Sequence, residues 1–209
     1  RKTIDAMIRV VNQSLHEGDR VTLSGLGSFS VQQQAERIGR NPRTGASVRI
    51  IHQRTEFHSF VWHYFKEICQ IPRPSGHEEA IIAYLEKFAL DHAFLSKKDA
   101  SGNLVIIKPG KQPAIALQAH VDMVCEKQVG YTHDFLSDPI QTYTDNGWLK
   151  AKGTTLGADN GIGVALALSS LLTYQGDKQL EALFTVQEET GLTGAAAVKA
   201  DFISAPILL

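Results

Sequence analysis

The second half of the sequence predicts an α/β fold, a mixed sheet with flanking helices. Two short apolar runs of strand type, residues 114–117 and 183–186, are each followed by a polar segment. A third polar segment opens an apolar helix over residues 162–172. Ligands bind at the carboxyl ends of strands in open α/β sheets, so the three polar segments are expected to meet at one site.

The charge is unevenly distributed along a chain of otherwise ordinary globular composition. Of the 209 residues, 43% are hydrophobic and 21% are charged, with a net charge of −1. Residues 1–56 carry nine basic and five acidic residues, which leaves twelve basic and seventeen acidic residues for 57–209. This asymmetry indicates different partners for the two segments, a polyanion for the first and a cation for the second.

Other features bound the class of protein. Cys69 and Cys125 are too few for a disulfide framework and are expected to be small buried residues. No apolar run approaches the ~20 residues of a membrane span, and no signal peptide opens the chain, so we expect no membrane partner and a cytoplasmic location. The chain begins with Arg1 and ends in an apolar run of strand type, which predicts a fragment of a longer protein.

Residues 1–56 predict a small α+β unit. Apolar residues at helical spacing indicate a helix over residues 3–16, which Gly18 ends. Strands are expected at residues 21–23 and from Phe29 onwards. Residues 32–49 are polar and rich in arginine, and their Asn-Pro and Thr-Gly turn signals predict a β-ribbon with guanidinium groups at its tip.

This first segment resembles the HU/IHF family of bacterial architectural DNA-binding proteins. The motifs Ser24-Gly-Leu-Gly-Ser-Phe29 and Gly39-Arg-Asn-Pro-Arg-Thr-Gly45 carry the resemblance. It implies that the ribbon enters the minor groove, where a proline wedges between base pairs and arginines contact phosphates. A plain hairpin with a solvated tip is the alternative. The implied DNA-binding residues are Arg37, Arg40, Asn41, Pro42 and Arg43.

The second segment begins with two predicted helices and continues with short strands. Apolar residues over 61–69 predict the first helix, which the following prolines end. Ser75 and Glu78 form a capping-box signature for the second helix, and His77 in its first turn is expected at the surface. Strands are expected at residues 94–96, 104–107 and 115–117, and Asn146-Gly147 predicts a hairpin turn.

Three polar segments carry residues suited to a two-zinc hydrolase site. They are Gln-Ala-His120-Val-Asp122, Gly-Ala-Asp159-Asn-Gly161 and Gln-Glu188-Glu189-Thr-Gly191. One imidazole with separate carboxylates is a ligand set that zinc accepts, and a further carboxylate beside a ligand can activate water. The alternatives are an ordinary helix N-cap for Asp159 and a solvated surface pair for the two glutamates.

From about residue 57 to the end, the sequence resembles the aminoacyl-histidine dipeptidases, a branch of the two-zinc exopeptidase superfamily. The resemblance implies that His120 binds one zinc ion, Glu189 binds the other, and Asp159 bridges both. It also implies that Asp122 orients His120, that Glu188 is the general base, and that the peptide bond after Asp159 is cis. The matching motifs are Ile71-Pro-Arg-Pro-Ser75, Leu117-Gln-Ala-His-Val-Asp-Met-Val124, His133-Asp-Phe135, Asp138-Pro-Ile140, Lys152-Gly-Thr-Thr-Leu-Gly-Ala-Asp-Asn-Gly-Ile-Gly163 and Glu188-Glu-Thr-Gly191.

The implied function is a metallo-dipeptidase that hydrolyses Xaa-His-type dipeptides with two zinc ions, or other divalent metals, and is a homodimer when complete. A further carboxylate ligand, a distant histidine and a lid domain of that family have no match here, so the site is expected to be incomplete. The predicted domains are residues 1–56 and 57–209. Two other hypotheses stay open: an architectural DNA-binding protein, and a non-functional junction of two partial reading frames, which the lack of a Gly/Ser/Pro linker favours.

Overall fold

The computed structural model describes residues 20–23, 27–30, 37–40, 47–50 and 53–209. The chain divides into two compact units, residues 1–52 and 53–209. In the first unit, strand β1 (Arg20–Leu23) pairs antiparallel with β2 (Gly27–Ser30), as the sequence predicts. The predicted helix over residues 3–16 lies outside the described residues.

The predicted β-ribbon is present in the first unit. Strand β3 (Arg37–Arg40) pairs antiparallel with β4 (Ser47–Ile50). Arg37 and Arg40 are the first and last residues of β3, whereas Asn41, Pro42 and Arg43 lie outside the described residues. The structure therefore supports the ribbon and leaves the assignment of its DNA-binding residues as a prediction.

The second unit is built around a mixed five-stranded sheet, which confirms the predicted α/β class. The strands are β5 (Leu95–Lys98), β6 (Leu104–Lys108), β7 (Lys111–His120), β8 (Thr142–Asp145), β9 (Trp148–Ala151), β10 (Lys178–Thr185) and β11 (Ile207–Leu208). The strand order of the sheet is β11-β7-β10-β6-β5, with β7 parallel to both β10 and β11, and β6 antiparallel to β10 and β5. A separate hairpin pairs β8 with β9. The helices are α1 (Gln53–Ile68), α2 (Glu79–Asp91), α3 (Ala158–Thr173) and α4 (Thr193–Ala197).

Most of the apolar core of this unit lies on one face of the sheet. Because side chains alternate between faces along a strand, Ala182 and Phe184 of β10 join the large cluster with α1, α2 and α3. Leu183, between them, packs instead with Val105 and Phe202 in a small cluster on the other face. The large cluster fixes the sheet against the helices and thereby positions the ends of β7 and β10.

Helix α1 crosses the expected domain limit. It begins at Gln53, and its residues Val61, Phe65 and Ile68 are buried in the large core of the second unit. The backbone of the second unit therefore starts before residue 57. The division into domains at 56/57 stays a prediction.

Of two local signals in the sequence, the hairpin turn is confirmed by the structure and the helix cap is not. Asn146 and Gly147 both have positive φ and join β8 to β9, as predicted. The capping box does not form: α2 begins at Glu79, and no side chain caps it. Ser75 donates instead to Asp122, and Glu78 accepts from the amide of Gln187, because tertiary partners compete with the helix end for these polar atoms.

The exposure of His77 and of the two cysteines can be compared with the predictions. His77 is exposed, as predicted, and Cys69 is buried, whereas Cys125 is only half-buried. Within the part of the chain that the structure describes, no helix has the length and apolar character needed to span a membrane.

Candidate active site

Three polar segments meet at one end of the central sheet, as the sequence predicts. Strand β7 ends at His120, which lies opposite Thr185, the last residue of β10. The amide of Val121 donates to the carbonyl of Thr185 over 2.9 Å, so the two chains leave the sheet side by side. Helix α3 brings Asp159 to the same place.

The imidazole of His120 has a different neighbour at each ring nitrogen. Its Nε2 lies 3.1 Å from Oδ1 of Asp159 and 3.9 Å from Oε2 of Glu188. Its Nδ1 lies 3.3 Å from Oδ1 of Asp122. Burial lowers the pKa of His120, but hydrogen bonds with Asp122 and Asp159 and the nearby negative charges outweigh it, so the pKa is raised.

Asp122 is fully buried and is the most completely hydrogen-bonded group of the site. Its carboxylate accepts hydrogen bonds from Ser75 Oγ at 2.7 Å, from the Glu188 amide at 3.0 Å and from the Glu189 amide at 3.1 Å. Burial raises its pKa, but these bonds and the contact with His120 lower it more, so the pKa lies well below the ordinary range. Asp122 is therefore an anion that joins the end of β7 to Ser75 and to the turn with Glu188 and Glu189.

Glu188 and Glu189 approach His120 from a turn after β10. The strand ends at Thr185, and Gln187 has a φ of +52°, so the chain already turns before the two glutamates. Ligand atoms of His120, Glu188 and Glu189 lie within 4.8 Å of one another. Burial raises the pKa of Glu189, and the negative charge of Glu188 raises it further.

Asp159 is held at the start of α3 without capping the helix. Asp159 and Asn160 have non-helical backbone angles, and the Asn160 side chain accepts a hydrogen bond from the Gly163 amide at 3.0 Å, so the ordinary N-cap interpretation of Asp159 is wrong. The peptide bond between Asp159 and Asn160 is cis, as the resemblance implies. The Asp159 side chain is 87% exposed and meets His120 at the edge of the site. It does not belong to the tight group formed by His120 and the two glutamates.

A cleft of about 630 Å³ opens beside these residues. His120, Asp159 and Glu188 lie in its wall, and much of the remaining wall is apolar. This arrangement can hold a small molecule with its polar part against the imidazole and carboxylates. The other lining residues are Gln118, Asn160, Leu183, Thr185, Leu192, Ala195, Val198, Ile203 and Leu208.

His133 and Cys125 stay outside the group of candidate ligands. His133 is buried and packs edge-on against Phe135, with ring centroids 4.4 Å apart. Among the described residues its Nε2 has no hydrogen-bond partner. Cys125 donates weakly to the carbonyl of Met123.

Sequence reasoning gave no role to two buried polar residues that support the site. Arg73 is 2% exposed and hydrogen-bonds to the segments that carry Asp122 and Asp159. Asn103 is fully buried, accepts from the Val186 amide and donates to the Gly194 carbonyl, at the two ends of the turn with the glutamates. Asn103 also donates to Asp99, four residues before it, but its partners at the site are 83 or more residues away, and those of Arg73 are 48 or more away. No local pattern marks these long-range contacts.

Comparison with known proteins finds different relatives for the two parts of the chain. The family model "Bacterial DNA-binding protein" matches residues 1–61. DNA-binding protein HU of Xylella fastidiosa is 51% identical over 49 residues, which cover 23% of this chain and 52% of that protein. For the second unit, the cytosol non-specific dipeptidase of Escherichia coli K12 is 43% identical over 155 residues, covering 71% of this chain and 32% of that protein.

A solved structure agrees with both the sequence and the fold of the second unit. The aminoacylhistidine dipeptidase of Vibrio alginolyticus is 44% identical with a TM-score of 0.68, covering 71% of this chain and 31% of that one. Both resemblances are confirmed. The chain spans about a third of the length of the dipeptidases it matches.

Proposed function

We propose that residues 53–209 are part of the catalytic domain of a metallo-dipeptidase. In this proposal His120, Asp159 and Glu189 are metal ligands, Glu188 is the general base and Asp122 orients His120. The observation that carries it is the imidazole of His120, whose Nε2 faces Asp159 and Glu188 while its Nδ1 faces the buried Asp122. Such a carboxylate on the second nitrogen is typical of metal-binding histidines.

The donor set fits a divalent cation. Imidazole nitrogen and carboxylate oxygen are both zinc ligands, and manganese and other divalent metals accept them as well. Among the described residues, the ion pairs of Asp159 and Glu188 are with His120 and involve no lysine or arginine. A cation at this position therefore balances clustered negative charge. Two zinc ions per site and a homodimer belong to the proposal for the complete protein.

The side chains have distinct tasks in peptide hydrolysis. A divalent metal, when bound, polarises a peptide carbonyl and lowers the pKa of a water molecule. Asp122 holds Nδ1 of His120, so that Nε2 stays directed at the cleft. Glu188, whose side chain is 33% exposed, accepts a proton from the attacking water and passes it to the leaving amine.

The proposed substrates are Xaa-His-type dipeptides. Support comes from the name of the Vibrio alginolyticus relative, an aminoacylhistidine dipeptidase, whereas the Escherichia coli relative is called non-specific. Comparing Ala-His with Ala-Ala hydrolysis by the complete protein tests this. A clear preference for Ala-His supports the specificity, and equal kcat/KM values contradict it.

Metal binding tests the site in this chain. Titration calorimetry with Zn²⁺ should show binding that weakens by about tenfold or more in His120→Ala, because one of few ligands is removed. His77→Ala is the matched control, since His77 is an exposed histidine outside the site. Equal Zn²⁺ affinity in wild type and His120→Ala would contradict the proposal.

We also propose DNA binding by residues 1–56 as a second function. The family match over residues 1–61 and the antiparallel β3–β4 ribbon favour it. Affinity for a nicked duplex should fall steeply with salt, because arginines displace counterions from phosphates. Arg40→Ala should weaken binding, while Lys150→Ala in the second unit should not. Binding that is insensitive to both salt and Arg40→Ala would exclude this function.

A further inference from the structure

Arg73 is a buried cation that bonds to two segments of the candidate site. It is 2% exposed and lies between Pro72 and Pro74 in the connection from α1 to α2. Its Nη1 donates to the carbonyl of Val121 at 2.8 Å and of Asp122 at 3.2 Å. Its Nη2 donates to the carbonyl of Gly157 at 2.5 Å. One guanidinium therefore joins the end of β7 to the loop before α3.

The loop that carries Asp159 is shaped around this guanidinium. A Cβ atom on Gly157 would lie 2.5 Å from Nη2 of Arg73 and 2.6 Å from Sδ of Met123. A Cβ atom on Gly161 would lie 2.8 Å from the same nitrogen. All three distances are too short for a side chain, so Arg73 can occupy this place because residues 157 and 161 are glycines. The glycines of the Gly-Ala-Asp-Asn-Gly motif thus have a steric reason that the sequence did not reveal.

The same connection also reaches the third segment. Ser75 donates to Asp122, and Glu78 Oε1 accepts from the amide of Gln187 at 3.0 Å, directly before the two glutamates. Residues 73–78 therefore contact every segment of the site. Arg73 differs from Ser75 and Glu78 because its Nη1 and Nη2 donate to two different segments of the site.

We propose that Arg73 is a positioning residue, which sets the distance between the strand end with His120 and Asp122 and the loop with Asp159. The proposal rests on the function proposed above. Arginine suits this role because its planar fork presents several donors in fixed directions, whereas lysine has one compact donor group. Without the guanidinium, buried carbonyls of both segments lose their donor, and the segments gain freedom to move apart.

Amide hydrogen exchange of the full chain, followed by mass spectrometry, measures this effect without metal. In Arg73→Met, exchange in residues 119–125 and 155–162 should rise by on the order of tenfold, because charge-assisted hydrogen bonds are lost in both segments. The β8–β9 hairpin should keep its wild-type rate. Arg73→Lys should keep the wild-type exchange rate in at most one of the two segments. If Arg73→Met does not fold, the comparison of Arg73→Lys with wild type tests the proposal.

Lys108→Met is the matched control. Lys108 is also a partly buried cation that donates to two backbone carbonyls, those of Leu171 and Tyr174, but at the far end of α3. Its removal should raise exchange near residues 171–175 and leave both site segments unchanged. If it loosens the site as much as Arg73→Met does, the effect is general destabilisation and the proposal is wrong.

Zn²⁺ titration of the same variants separates this proposal from the proposed function. Arg73→Met should bind Zn²⁺ about tenfold more weakly than wild type, and Lys108→Met should equal wild type. If wild type binds no Zn²⁺ but the exchange pattern holds, the metal site fails and the positioning role of Arg73 stands. The positioning role is overturned if exchange in Arg73→Met is unchanged, if it rises equally in the β8–β9 hairpin, or if Arg73→Lys matches wild type.

Discussion

The core beneath the sheet and the polar site at its end are held together by different forces. In the core, Phe65, Leu168 and Phe184 are buried among other apolar side chains, and their contribution depends on area and fit. At the site, Asp122 and Arg73 are equally buried, but each is stabilised by hydrogen bonds of defined direction. Burial by itself therefore says little about what a residue does in this molecule.

Substitutions in the apolar core and at the polar site should therefore have different effects. A shorter apolar side chain leaves a cavity and costs stability, while the remaining contacts keep their geometry. A changed polar group at the site leaves buried partners unpaired, and these partners belong to other segments of the chain. Site substitutions should therefore change geometry and pH response as well as stability.

The largest loss of stability is expected in the core. Phe184→Ala should lower the free energy of unfolding by about 3–5 kcal/mol, because Phe184 is fully buried in the large cluster. Denaturant unfolding followed by tryptophan fluorescence measures it in the second unit, which contains both Trp62 and Trp148. Leu183→Ala, the next residue on the opposite face, is the control and should cost about 2 kcal/mol. A larger loss in Leu183→Ala than in Phe184→Ala would contradict the picture of one dominant core.

A smaller but pH-dependent loss is expected at the site. Asp122→Asn should cost about 3 kcal/mol near neutral pH, because an amide replaces a buried anion that accepts from Ser75 and two backbone amides. The folded pKa of Asp122 is lowered, so its contribution is fully present above the unfolded pKa of ~3.9 and is lost as pH falls below it.

The difference in unfolding free energy between wild type and Asp122→Asn should therefore increase as pH falls towards ~6.5, because Asp122 helps to raise the pKa of His120, and should shrink below about pH 4, where Asp122 itself becomes protonated. Asp145→Asn is the control, since Asp145 is a partly exposed residue paired with Lys150. It should change stability by less than about 1 kcal/mol. A difference for Asp122→Asn that grows as pH falls below about 4 would show that the carboxylate is not stabilised in the folded protein.

Much of this fold follows from local patterns in the sequence. Apolar periodicity marks α1 and α3, short apolar runs mark β7 and β10, and Asn146-Gly147 marks the hairpin. The site residues were predicted from their type and their place after strands. His120, Asp159, Glu188 and Glu189 do meet there, because the ends of neighbouring parallel strands share one edge of the sheet.

The network that supports the site could not be predicted in the same way. Ser75 and Glu78 fit a helix cap locally, yet their partners Asp122 and Gln187 lie 47 and 109 residues further on. Arg73 likewise has partners that only the tertiary fold brings near. Local propensity decides between conformations of one segment, and it carries no information about which distant carbonyl or carboxylate a polar side chain meets.

The smallest expected effect is a difference in reactivity between two thiols, one in the core and one beside the site. Cys69 lies in the large core, where burial raises its pKa to about 11 and the charge of Arg73 offsets this only in part. Cys125 is half-buried beside the site, and burial raises its pKa too. Because the thiolate is the reactive form, a pKa of 11 in place of 9 lowers its fraction about a hundredfold at pH 8.

In the native protein, Ellman's reagent should therefore react with Cys125 slowly and with Cys69 only after unfolding. Cys125→Ser should abolish the native reaction and leave one thiol that appears in denaturant. Phe184→Ala should accelerate the reaction of Cys69, because opening of the weakened core exposes it more often. Asp122→Asn should change the reaction rate of Cys125 more than that of Cys69. Equal native reactivity of the two thiols would mean that the core and the site open together, and the distinction between the two regions would then not extend to their dynamics.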